Sequence, residues 1–486
     1  MKLSKSLLMC CLFLFVLSFF ANANSLNVTN VSIINVSGGT ADVQFDISWS
    51  NSYRWMENVA GKSLTNYDAA WVFVKFRNSS MGNWAHALLS ATGHSAPAGS
   101  VIEIHSNGGE TNVGAMVYRS DVGNGDVSFA NIILKWDMSK NGLTKTNFVD
   151  VRIHAIEMVN IPECRFALGS GGSEYYHFYE YPDTLQSYYV TNAGAINIST
   201  NAGDLHYTGG GGDSTGPIPA VFPNGFSGFY CMKYEITQGQ YADFLNSLSP
   251  GYALARFPNA YGNWRHTVRD IDLNGIYSAD TKDRACNYLG WADVSAYLDW
   301  AALRPMTELE YEKTCRGPSV PVPNELPWGT TWARHIDYYD GIDGSGTETA
   351  FPTNANCHYY YFYHDDSTRM GPTRVGIFAR FATTRIQSGA GYYGVMELGG
   401  NVYEQAITIG NNEGRAFVGN HGDGYLQTAP PTWPVSTGIG DRGGTYTDHY
   451  NNRQRDWELR TSDRHRAIVV GGRAHDRGGR GVRSAE

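Results

Sequence analysis

GVMELGGNVYEQ, Gly394 to Gln405, runs an apolar lead-in into paired glycines and then sets Asn401, an aromatic ring and Glu404 side by side. Glu397 and Glu404 offer carboxylates on either side of a glycine pair whose backbone can bend to turn carbonyls inward. A hard cation such as calcium is held by a mixture of carboxylate and backbone carbonyl oxygens. The segment reads as an ordered loop that a cation pins, and it predicts a fold carried by loops rather than by long helices. Ordinary surface carboxylates on a turn are the competing reading.

The flanking sequence agrees. After Pro327 the chain is long, irregular and glycine-rich, and such stretches need something to hold them. Before it, three short helices are predicted. Thr237 and Gln240 form a capping box ahead of the stripe Tyr241, Phe244, Leu245 and Leu248. Asp293 is placed as the cap of a helix with Val294, Tyr297, Leu298 and Ala301 on one face. Thr307 and Glu310 form a second capping box, and Gly317 closes that helix. An insertion from about 170 to 225 carries the run Gly209 to Gly212, read as a flexible loop. The run lacks the Gly-Lys-Ser/Thr ending of a nucleotide loop.

Residues 1–23 read as a signal peptide: Lys2 and Lys5, an apolar Leu7 to Phe20, then Ala21-Asn22-Ala23. No second long apolar run follows, so no membrane span is expected and the chain is placed as secreted. Residues 24–154 read as an all-β domain. Val43, Phe45, Ile47 and Trp49 alternate with polar residues, Asp68 to Arg77 is apolar on both faces and central, and Phe148 to Ile156 alternates again. Glycine- and asparagine-rich turns between them suggest a β-sandwich. Trp49, Tyr53, Trp71 and Trp84 read either as core or as a ligand groove. Leu26 to Ser37 is either the first strand of this domain or a strand donated to a neighbouring copy by edge addition. Sequons stand at Asn27, Asn30, Asn35, Asn78 and Asn197.

A net charge of −9 disfavours nucleic acid as a partner. Cys164, Cys231, Cys286, Cys315 and Cys357 follow the signal segment, an odd number with no CxxC spacing. A zinc site is therefore not expected, and at least one thiol is free or paired between chains.

The motifs of the second half, taken in order, resemble the formylglycine-generating enzyme (sulfatase-modifying factor) family. These are Met158 to Gly169, Tyr234-Glu235-Ile236-Thr237, Arg304 to Gly317 (RPMTELEYEKTCRG), Pro327-Trp328-Gly329, Gly400 to Glu404 (GNVYE), Arg442-Gly443-Gly444 and Gly481-Val482-Arg483. The resemblance covers about 157–486 and implies a C-type-lectin-like α+β domain over 155–486, following the β-sandwich. It implies one calcium held by the Glu397 side chain, the Gly400 and Val402 carbonyls and the Glu404 side chain. A second would use Asn356, the Cys357 carbonyl and Asp366, with Asp365 as the alternative.

Enzymes of that family use copper and two closely spaced cysteines between the RGGS and GFR elements, and soft thiolates suit copper(I). The corresponding stretch here contains no cysteine, so copper is not expected. From Arg442 onward there are ten arginines and no lysine. A salt-bridge network is the first reading of these, and an anion- or glycan-binding cleft of Arg460, Arg464 and Arg466 the second. Taken together, the sequence predicts a secreted, non-catalytic structural or binding protein on a calcium-stabilised scaffold, a homo-oligomer or fibre subunit. An active oxidoreductase and a lectin-like protein are the alternatives.

Overall fold

The structure, a computed structural model, describes residues 25–486 except 60, 79–81, 108, 110, 360–369, 381, 426–432, 436, 448–455 and 470. The predicted signal peptide of residues 1–23 and Asp366 lie outside the described residues, as do Asp365, Tyr360 and Tyr361.

The fold is mixed and sheet-rich. Eight strands come first: β1 (Asn27–Ser37), β2 (Thr40–Val59), β3 (Lys62–Arg77), β4 (Ala85–His86), β5 (Ser100–Ser106), β6 (Asn112–Arg119), β7 (Gly123–Asp137) and β8 (Asp150–Ile161). Together with Phe229–Met232, Gly481–Ser484 and Arg304–Pro305 they form one 11-stranded antiparallel sheet. Its main path is β1, β2, β3, β8, then Phe229–Met232, Gly481–Ser484 and Arg304–Pro305. β7 pairs with β2, and β6 pairs with β3 and β5.

β3 shows why the sheet is continuous. Ala70, Val72, Val74 and Phe76 enter one core with Val43, Phe45, Ile47 and Trp49 of β2 and Leu134 and Trp136 of β7. Ala69, Trp71 and Phe73 on the opposite face enter a second core with Tyr297, Leu298 and Trp300. A strand buried on both faces must be apolar at both parities, as Asp68 to Arg77 is. β8 behaves alike, sending Val151, Ile153 and Ala155 to the first core, Ile156 and Met158 to the second, and Val159 and Ile161 to a third. Positions 154 and 155 therefore fall inside one strand. Polar bonds cross the same region: Trp71 Nε1 donates to Ala301 O at 2.8 Å, Tyr53 OH to Tyr393 O at 2.6 Å, and the Lys75 ammonium to Trp300 O at 2.7 Å.

The longer helices among the described residues all lie in the C-terminal portion: α1 (Gln238–Leu245), α2 (Pro250–Arg256), α3 (Trp291–Trp300) and α4 (Glu308–Arg316). Both predicted capping boxes form, on Thr237 and Thr307. α3 differs from expectation. Its cap is Gly290, and Asp293 lies in the first turn, accepting from Gly290 N at 3.0 Å. A glycine cap has no side chain to announce it, and the acid that reaches back to it looks like the cap itself.

The glycine run also differs. Gly209–Gly211 is a short 3-10 turn, and a side chain at Gly210 would overlap the Tyr176 ring. Gly212 packs backbone to backbone on Gly410, and Asp213 beside it is bound by Arg415 at 2.7 Å. These glycines serve close packing rather than flexibility.

Candidate functional site

The sheet and α4 bring the distant motifs together in pairs. Arg304 lies opposite Val482, and Glu404 opposite Arg442 in the hairpin of Glu404–Ile407 with Ile439–Arg442. Glu397 takes a left-handed conformation (φ 52°), as do Gly400 (φ 90°) and Asn401 (φ 65°). The chain therefore coils tightly here and points several polar groups inward.

Glu397, Glu404 and Glu235 are all buried at the centre of this coil. The Arg480 guanidinium holds Glu404 through two contacts, 2.9 and 2.6 Å to Oε1. Glu397 Oε1 accepts from Gly376 N at 2.7 Å. Glu235 accepts from the Asn401 amide at 2.5 Å and from Val402 N at 3.2 Å. Sequence reasoning did not select Glu235 or Arg480. The signal for Glu235 was a carboxylate standing just after an apolar strand; Arg480 lies too far along the chain for any local pattern to show its partner.

Burial pushes Glu397 up to about 7 against the pull of Arg480, and burial likewise pushes Glu404 up to about 7. Glu235 is driven well up by burial and then by Glu404. Three carboxylates thus face two guanidiniums, Arg480 and the more distant Arg374, in a dry site. The imbalance is met by a retained proton or by a bound cation. Glu397 Oε2 and Glu404 Oε2 are buried without a hydrogen-bond partner among the described residues. Hard oxygen donors left over in this way fit a hard cation and not a soft one. No group of three or more His, Cys, Asp or Glu side chains among the described residues is arranged to hold a metal, so the Gly400 and Val402 carbonyls would have to complete any such shell.

At the second sequence-derived position, Asn356 Oδ1 already accepts from Arg334 N at 2.9 Å, and Asn356 Nδ2 donates to Ile386 O at 2.8 Å. The Cys357 carbonyl accepts from Ile336 N at 3.1 Å.

Of the described arginines after Arg442, Arg464, Arg480 and Arg483 are buried. Arg464 is fully buried, bound to Glu308 at 2.8 and 3.0 Å and stacked on Phe178 and Tyr207. Arg466 is held by Asp441 at 2.8 Å, and Arg460 donates to Asn324 at 3.0 Å. The structure does not bring these three into one open cleft. Arg464 instead joins Arg442, Arg316, Glu308, Glu312 and Glu325 in a buried, charge-balanced network around α4. Burial works to raise Glu308, yet Arg464 and Arg442 hold it below the ordinary carboxylate range.

Trp49, Tyr53 and Trp71 are buried, and Trp84 is clasped between the Arg77 and Arg152 guanidiniums. All five sequon asparagines are exposed. The Asn30 and Asn35 amides already donate to Asp46 and Asp42 at 2.6 and 3.0 Å.

A family model for the sulfatase-modifying factor enzyme 1-like domain matches residues 184–474. The chain belongs to that family. The mouse formylglycine-generating enzyme is 24% identical to it across a 172-residue alignment that covers 26% of this chain and 44% of that enzyme. The chain thus spans less than half the length of this curated relative.

Cys164, Cys231, Cys286, Cys315 and Cys357 of this family member are free and buried. Burial pushes the thiols of Cys231 and Cys315 up to about 12 and drives those of Cys286 and Cys357 well up too. Such thiols are neutral and closed to solvent, whereas reactive cysteines are partly exposed thiolates. No helix among the described residues is long and apolar enough to cross a membrane.

Proposed function

We propose that this chain is a secreted, non-catalytic member of the sulfatase-modifying factor family. In this reading an N-terminal β-sandwich is fused to a lectin-like, calcium-stabilised domain, and copies assemble through β1. The cysteines carry the reading. The stretch between Arg442 and Gly481 has none, and every described cysteine is buried and free of a disulfide. No pair of thiolates is thereby offered to a soft metal. Glu397 and Glu404, with the Gly400 and Val402 carbonyls, would hold the calcium, whose positive charge would fix the loop.

Assembly is supported by β1 itself. Among the described strands it pairs only with β2, and most of its residues are exposed, Val31 and Val36 included. An open edge with exposed apolar residues is a template for strand addition. A chain deleted of residues 25–37 should run as a monomer in light scattering while the full mature chain forms larger species. Equal particle sizes would count against assembly through β1.

Oxidoreductase activity of the formylglycine-generating kind is the second reading, favoured by the likeness to the mouse enzyme. Copper-dependent oxygen uptake with a cysteine-containing peptide would establish it; the non-catalytic reading expects none.

A further inference from the structure

A second polar site lies away from the carboxylate cluster, where the N-terminal strands meet the helices. A cavity of about 180 Å³ opens between the start of β1, β8, α1 and α3. Its walls include Val28, Phe73, Ile153 and Ile156, and its polar lining is Tyr297, Trp300, His154, Gln240 and Asp243.

Three of these polar groups are unsatisfied. Tyr297 OH, Trp300 Nε1 and His154 Nε2 are buried and have no hydrogen-bond partner among the described residues. The Tyr297 and Trp300 side chains are 0% and 3% exposed, so water at the surface does not serve them. The three rings form one cluster, with Trp300 5.5 Å from Tyr297 and 4.7 Å from His154 between centroids. Buried polar atoms are nearly always paired, and three orphans on one cavity point to a guest that pairs them.

We propose that this cavity binds a small neutral polyol, with the hydroxyl chemistry of a sugar residue. The lining is chemically mixed. The indole N–H only donates, a phenol does both, and a carboxylate only accepts. Asp243, exposed at the cavity mouth, supplies that acceptor. Hydroxyls each donate and accept, so a run of them can satisfy all three kinds of group, while the aliphatic walls meet C–H surface. An anionic guest would face Asp243. A cationic ammonium only donates, so it would leave the indole N–H of Trp300 without an acceptor. Burial first, and then Lys75 and Arg152, hold His154 down at about 3 and therefore neutral.

The test uses the full mature chain. D-glucose, glycerol, lactate and ethanolamine are titrated by calorimetry against wild type, Tyr297→Phe and Asp243→Asn. The phenol makes no hydrogen bond to the described residues, so Tyr297→Phe keeps the packing, and Asp243→Asn alters an exposed site. The expected result is binding of the neutral polyols, weakened about five- to tenfold by Tyr297→Phe, the worth of one neutral hydrogen bond, and by at least as much by Asp243→Asn, which loses a charge-assisted one. Absence of polyol binding, binding of the charged compounds alone, or equal binding by wild type and Asp243→Asn would each overturn the proposal. A crystal soak that shows only ordered water against Tyr297 and Trp300 would do the same.

Discussion

At the scale of single residues, the Glu235, Glu397 and Glu404 group is the most consequential feature, because its charge does not balance. Glu397 and Glu404 have folded pKa values raised to about 7, against an ordinary carboxylate value of 4.5. A raised acid makes the folded state the better proton binder. Its contribution is fully present below the unfolded value and is lost as pH rises from about 4.5 through 7. In chelator, the thermal midpoint should therefore fall across that range. Calcium should restore it at pH 7.5 and do much less at pH 5.5, where protons already occupy the site. Glu397→Gln should flatten the pH dependence and remove most of the calcium response. A calcium effect equal at both pH values, or unchanged in Glu397→Gln, would place the ion elsewhere. Glu397 and Glu404 were visible in the sequence because they flank a glycine pair. Arg480 was not, since nothing near it in the chain shows that it ends on Glu404.

At the scale of elements, α4 is unusual in that Glu308, Glu310, Glu312, Lys313 and Arg316 are all buried. Its sequence looks like an exposed amphipathic helix, and charge alone cannot distinguish a solvated face from a paired one. The pairing partners Arg442 and Arg464 come from far along the chain, and Glu325 from the loop after the helix, so the capping box was legible while the burial was not. Glu308 accepts from Arg464, Arg442, Thr408 and Ile409 N, tying the helix start to the hairpin of Glu404–Ile407. Glu308→Gln leaves Arg464 buried without its carboxylate. Breaking a buried pair in this way costs about 3–5 kcal/mol, to be read as a lower urea midpoint at unchanged slope. A loss under about 1 kcal/mol would show that Arg464 finds other compensation, since that is the scale of an exposed pair. β1 is the opposite kind of element. Asn30 and Asn35 adopt left-handed conformations (φ 55° and 52°) at its two register shifts, which bend the strand without adding buried area. Its sequence advertised β propensity correctly and gave no sign of these bends.

At the scale of the whole molecule, the alternating patterns of residues 41–50, 68–77 and 148–156 were readable because burial on one or both faces leaves a period of two. What the pattern could not show is that β8 changes core partners midway, since Val159 continues the apolar parity of Ala155 while facing a different cluster. The two halves consequently share a sheet. A fragment ending at residue 154 would expose Trp71 and Phe73, which lie at 0% exposure, and would cut β8. Such a fragment should be aggregated or lack a cooperative melt, whereas the full chain should unfold in a single calorimetric transition. Two resolved transitions, or a soluble folded fragment, would show independent halves. The place of Gly481–Ser484 carries a further consequence. This strand is inserted between Phe229–Met232 and Arg304–Pro305, both of which leave the ribosome long before it. The sheet keeps an open slot until that late segment arrives, and pairing over such sequence distance is slow. Sequence-adjacent pairs such as β2 with β3 and β5 with β6 can form early, but the join between Phe229–Met232 and Arg304–Pro305 closes only once Gly481–Ser484 has been made.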